Sequence, residues 1–257
     1  MADKETWFRM CRNGETENVR MALSRGEDFK GVGESGDSAV MLAAEAGHLD
    51  VVAVLLEQGE IDVNSTNQIG RTALHMAALR GHVAIIELLL NQQGTEINQA
   101  NNYGRTALHW AASQGHAPVV QVLLSKPGIE VNRANSGLLT ALHLAASRGH
   151  INVLTLLCNF PGINLAATTK RGCTVLHKLV SYPSRCDPDF LRNLLTNLNV
   201  DPNAKRLDGN TTIMLLLLAY SNHNNVKECL RVMVESERVD ILYVKDRQGR
   251  GLEDLAR

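Results

Sequence analysis

Histidine is the reactive side chain this sequence offers most often, and nine imidazoles in 257 residues could serve a metal ion or an acid–base step. Their spacing argues against both. His75, His109, His143 and His177 fall at intervals of 34 residues, and His48, His82, His116 and His150 fall at the same interval. Ligands carried on successive copies of one unit are spread along the chain and do not converge on one ion. Eight of the nine are therefore assigned to the structure of the unit itself, which leaves His223. Five cysteines, at positions 11, 158, 173, 186 and 229, are an odd number with no CxxC pair, so the sequence encodes neither a disulfide framework nor a zinc ribbon. Reduced thiols in the cytosol or nucleus are the simplest reading. Ser, His and Asp, and Cys, His and Asn, all occur, but no GxSxG elbow, phosphate loop or GxGxxG segment organises them. The expectation is a protein that is not an enzyme, with no catalytic residue, no metal ligand and no cofactor.

The elements that carry these histidines are copies of one another. GRTALHMAALRGH starts at Gly70, GRTALHWAASQGH at Gly104 and LLTALHLAASRGH at Leu138, each 34 residues after the last. The register runs back to GDSAVMLAAEAGH from Gly36 and forward to GCTVLHKLV from Gly172, then decays through GNTTIMLLLLAY from Gly209 to GRGLEDLAR from Gly249. In the copy from Gly70, Leu74, Ala77 and Ala78 predict a short first helix with a small-residue face that a neighbour can approach closely. Gly81 ends it, because glycine adopts the left-handed conformation that closes a helix. Val83, Ile86, Leu89 and Leu90 then predict a second amphipathic helix. The polar stretch 92–104, rich in Asn and Gly, predicts a hairpin-like return. One helix pair leaves an apolar face bare, so the pairs must stack. Aromatics are only 4% of the chain, so the stack is held by Leu, Val, Ile and Ala.

These strings, with V-V-x-L-L-L in the second helix and loops ending in VN or IN, resemble the ankyrin repeat over about residues 5–257, with Ala at the family's Pro position in three copies. The resemblance implies an all-α solenoid of stacked helix-turn-helix units joined by hairpin-like loops, a single array over residues 1–257. Its parts are an N-terminal cap at about 5–30, repeats starting near 36, 70, 104, 138, 172 and 209, and a partial repeat at 246–257. It further implies that the imidazoles are neutral, buried and hydrogen-bonded between loops and adjoining repeats. Asn64, Asn98 and Asn132 are expected to satisfy loop backbone groups, at a position the family can hydroxylate. Leu216 and Leu217 stand where other copies have Ala, which predicts either a repacked core or an exposed apolar strip.

A formal net charge of -1 supplies no field for nucleic acid, and the longest apolar run, 213–220, is far short of the ~20 residues a bilayer requires. No nucleic acid and no membrane insertion are expected; the chain is read as cytoplasmic, with the nucleus as the alternative, and as a monomer. In this family the partner meets the hairpin tips and the outer side of the first helices, which line the concave surface. Projected here, the partner-binding candidates are Ile69, Arg71, Tyr103, Arg105, Leu139, Lys170 and Arg171 from the tips, and Leu79, Arg80, Trp110, Gln114 and Arg148 from the helices. Six of these are cations and none is a carboxylate, so the expected partner is an acidic, partly apolar protein or peptide anchored at Trp110 and Tyr103. The first repeat differs in offering Glu34, Asp37 and Glu45. The expected role is an adaptor, scaffold or stoichiometric inhibitor. The alternatives are a transcription-linked regulator similar to the NF-κB inhibitors and a non-catalytic part of a larger enzyme.

Overall fold

Each well-preserved copy opens with a threonine in extended backbone followed by helix-forming residues, and the computed structural model starts a helix at the next position. The structure describes residues 3–26, 33, 35–58, 61–182, 186–198, 200–218 and 224–239. Among the described residues every regular element is a helix and there is no strand. The chain divides into two compact units, Met1–Val131 and Asn132–Arg257.

The first unit holds four helix pairs: α1 (Lys4–Asn13) with α2 (Thr16–Ser24), α3 (Ala39–Ala46) with α4 (Leu49–Leu56), α5 (Ala73–Arg80) with α6 (Val83–Leu90), and α7 (Ala107–Gln114) with α8 (Ala117–Leu124). First helices pack in the order α1, α3, α5, α7, and second helices in the order α2, α4, α6, α8. The alanines permit this: Ala43, Ala44, Ala77, Ala78, Ala111 and Ala112 are all fully buried between neighbouring first helices. The second helix of the repeat from Gly70 buries Ile85, Ile86 and Leu89, whereas Val83 and Leu90 are half-buried. The apolar stripe is thus turned by one residue from the sequence expectation, with Ile85 in place of Val83.

The second unit holds α9 (Ala141–Arg148) with α10 (Ile151–Cys158), α11 (Val175–Val180) with α12 (Pro188–Thr196), and α13 (Thr212–Leu218) with α14 (Asn224–Glu235). Here α11 packs on both α9 and α13, and α12 packs on α14. Leu216 is fully buried and Leu217 half-buried, so the bulky substitutions at the alanine positions enter the core; the exposed leucine of this helix is Leu218. The partial repeat expected at 246–257, and with it Glu34, Tyr220 and His223, lies outside the described residues.

Candidate functional site

Two sets of histidines join the repeats, by two different geometries. In the first set, Thr72 caps α5 and is wired to the ring three residues on: the Thr72 backbone N–H donates to His75 Nδ1 at 3.1 Å and the Thr72 hydroxyl lies 2.9 Å from the same atom. A backbone N–H can only donate, so Nδ1 must accept and the ring proton must sit on Nε2. Nε2–H then donates to the Arg105 carbonyl, 2.9 Å away in the next tip. Thr106 and His109 repeat the inner half of this arrangement at 3.2 and 2.9 Å. In the second unit His143 reaches the Ala167 and Cys173 carbonyls, both at 3.1 Å, and His177 reaches the Asn210 carbonyl at 3.2 Å. Burial disfavours the imidazolium, which pushes His75 down to about 4 and lowers His143 and His177. Such rings are neutral connectors, poorly suited to exchanging a proton near neutrality.

The second set uses a glycine of one repeat as the seat for a histidine of the next. His82 Nε2 lies 3.1 Å from the Glu45 carbonyl, and its ring covers Gly47 so closely that a Cβ there would stand 2.6 Å from Cε1. His48 on Gly14 and His116 on Gly81 do the same. The loop asparagines form a third connection. Asn64 donates through Nδ2 to the Gly94 carbonyl at 2.8 Å and accepts from the Glu96 N–H at 2.9 Å. Asn98 bridges to Gly128 and Glu130, and Asn132 to Gly162 and Asn164, in the same way. The backbone groups they satisfy belong to the following loop, 30 and 32 residues on.

With the joints assigned, the tips remain. Three of them are hairpin-like turns closed by an asparagine, Asn67, Asn101 or Asn135, and Thr169 takes that place in the next: Asn67 N–H donates to the Arg71 carbonyl at 3.0 Å, while Asn67 Oδ1 accepts from Ile69 and Arg71 at 3.1 and 2.9 Å. Asn101 holds Tyr103 and Arg105 likewise, both at 3.0 Å. This presentation aims Arg71 and Arg105 at one ring. The Arg71 guanidinium lies 4.5 Å and the Arg105 guanidinium 4.8 Å from the centroid of Trp110 on α7, within cation–π range. Arg71 Nε and Trp110 Nε1 are buried with no hydrogen-bond partner among the described residues.

The sequence-derived candidates therefore sort into distinct environments. In the first unit Arg71, Arg105 and Trp110 form one cluster, and Tyr103 projects beside Arg105 with 59% of its surface exposed. Ile69 and Leu79 are half-buried and Gln114 is exposed. Arg80 is exposed but paired with Glu45 at 2.8 Å, so its charge is partly answered within the protein. In the second unit Leu139 is half-buried at its tip, while Arg148, Lys170 and Arg171 are exposed. Sequence reading passed over Leu138. It occupies the tip position that is Gly70, Gly104, Gly172 or Gly209 elsewhere, and it has φ 56° with 48% of its surface exposed. A leucine in left-handed backbone is strained, and the doubled LL in place of GR was the signal for it.

Among the described residues no group of three or more His, Cys, Asp or Glu could hold a metal ion, and no helix is long and apolar enough to cross a membrane. A model of three consecutive ankyrin repeats matches residues 7–67 and 60–135, and a single-repeat model matches 138–170. No curated protein matches the chain. Repeats of this kind are in general protein–protein interaction modules and are typically non-catalytic. The matched segments cover more than half the sequence and coincide with the helix pairs whose threonines, glycines and histidines join neighbouring repeats within each unit: the chain belongs to the ankyrin repeat family.

Proposed function

We propose that the chain is an adaptor, scaffold or stoichiometric inhibitor that holds an acidic, partly apolar segment of another protein. The tips and first helices of residues 69–114 form its principal contact, with Trp110 and Tyr103 as anchors. The observation that supports this reading is the cluster at Trp110: two guanidiniums on one indole, with an arginine Nε and the indole N–H unbonded among the described residues. Two like charges on one ring repel each other, and a carboxylate from a partner would relieve that repulsion. Aromatic and arginine side chains are also the types that dominate binding energy at interfaces. Leu139, Arg148, Lys170 and Arg171 extend the same preference for acidic, apolar sequence to the second unit.

A random peptide library displayed against the full chain tests this. Enriched peptides should pair Asp or Glu with an aromatic or aliphatic residue. Their affinity should fall about thirtyfold in Trp110→Ala, and further in an Arg71→Glu, Arg105→Glu double variant, with helicity retained. Enrichment of basic peptides, or equal binding by the variants, would overturn it.

A further inference from the structure

The last described helix pair lacks the histidine joint that the four repeats before it share. Met214 stands where the four preceding repeats carry histidine and the repeat from Gly36 carries Met41, and its sulfur accepts the Thr211 N–H at 3.5 Å. A thioether has no proton to donate onward. The Thr211 and Thr212 hydroxyls are buried with no hydrogen-bond partner among the described residues. The same unit holds two thiols in contact. Cys186 sits immediately before Asp187, the residue that caps α12, and Cys229 lies in α14. Both are free and fully buried, and their sulfurs are 3.0 Å apart.

That separation is about 1 Å longer than a covalent S–S bond of ~2.0 Å. It is shorter than the roughly 3.7 Å between two thiolates bound tetrahedrally to zinc at ~2.3 Å each. Geometry therefore favours a bond between the sulfurs over a metal between them, and among the described residues no third ligand completes a metal site. Neighbouring contacts already hold the two helices side by side: Arg192 pairs with Glu235 at 3.2 Å, and Asn225 Nδ2 donates to the Cys186 carbonyl at 3.5 Å. Cys11 and Cys158 differ: burial pushes each up to about 12. In the pair, the hydrogen bond between the two sulfurs lowers Cys229 and raises Cys186, which marks Cys229 as the first to ionise.

We propose that Cys186 and Cys229 are a reversible disulfide site, oxidised by small disulfides such as oxidised glutathione, that clasps α14 to the start of α12. The Cys229 thiolate attacks one glutathione sulfur, forming a mixed disulfide and releasing one glutathione thiolate. Cys186 then attacks the Cys229 sulfur, which forms the S–S bond and expels the second glutathione. The two protein thiol protons pass to the two departing thiolates, so the protein loses two electrons and the glutathione disulfide gains them. The clasp closes a loop across α13, the helix whose own polar bonding is deficient, and thereby opposes separation of the last described helix pair.

The test incubates the full chain with equal concentrations of reduced and oxidised glutathione, followed by alkylation and peptide mapping. The expected product links the peptides of Cys186 and Cys229 and leaves Cys11, Cys158 and Cys173 alkylatable after denaturation. Amide exchange in α14 should slow on the order of a hundredfold on oxidation. That slowing should vanish in both Cys186→Ser and Cys229→Ser. A parallel sample unfolded in denaturant and refolded in the same buffer removes any barrier of access. Free thiols at 186 and 229 in that sample, linkage to a different cysteine, or a link that leaves α14 exchange unchanged would each overturn the proposal.

Discussion

The joint at α5 and the joint at α13 are built to one plan with one residue changed. At α5 the imidazole of His75 works at both ends: Nδ1 accepts from Thr72 while Nε2 donates to the Arg105 carbonyl of the following tip. At α13 the Met214 sulfur accepts from Thr211 and nothing is donated onward. Apolar burial is not what distinguishes them, since Ile213 and Leu216 are as buried as Leu74 and Ala77. A buried hydroxyl with no partner among the described residues is the difference, present at Thr211 and absent at Thr72. Decay of the repeat toward the C-terminus is thus a loss of polar connectors within a core that stays packed, and an unmade buried hydrogen bond costs more than a made one contributes.

The largest test transplants the weak joint into the strong one. His75→Met should destabilise the first unit by about 3 kcal/mol in urea unfolding, because the Thr72 hydroxyl and the Arg105 carbonyl both lose a buried partner. The reverse change, Met214→His, should add about 1 kcal/mol to the second unit. Equal and negligible effects would erase the distinction. Next comes the glycine seat. Gly47→Ala should cost about 2 kcal/mol more than Gly94→Ala, although both glycines are left-handed at φ 86° and 81°. Only Gly47 faces a ring, with His82 Cε1 2.6 Å from the added Cβ, whereas Gly94 faces open space. The smallest expected effect is Leu138→Gly, which should stabilise by about 1 kcal/mol through relief of left-handed strain. In binding to selected peptides the same variant reports whether the strained leucine is retained for contact.

The 34-residue period made the helix pairs legible, because Thr, His and Gly at fixed offsets each have one structural job and cannot be moved without losing it. Thr72, Thr106 and Thr140 cap helices that begin at the next residue, as the strings require. The Trp110 cluster was only half visible. Arg71 and Arg105 lie one period apart and so recur at neighbouring tips, but stacking on Trp110 depends on side-chain direction that spacing leaves undetermined. The Arg80 to Glu45 pair follows similar logic: the two residues are 35 apart on adjacent first helices, and each was read singly as part of an open surface. The Cys186 and Cys229 contact was hidden for a different reason. Neither cysteine occupies a position the repeat dictates, and a separation of 43 residues along the chain gives no signal that the two meet.

The account rests on histidines that are neutral joints, and nitrogen NMR of the imidazoles during an acid titration tests it most directly. His75, His143 and His177 should carry their proton on Nε2 at neutral pH, with His75 titrating near 4 and the others below the ordinary 6.5 of an exposed ring. A folded-state value below the unfolded one means the unfolded chain binds protons more readily. The stability these rings confer is then complete above pH 6.5 and drains away as pH falls toward 4, by about 3 kcal/mol for His75. Protons found on Nδ1, or midpoints at 6.5 with stability unchanged between pH 7 and 4, would contradict the assignment of these rings to the architecture.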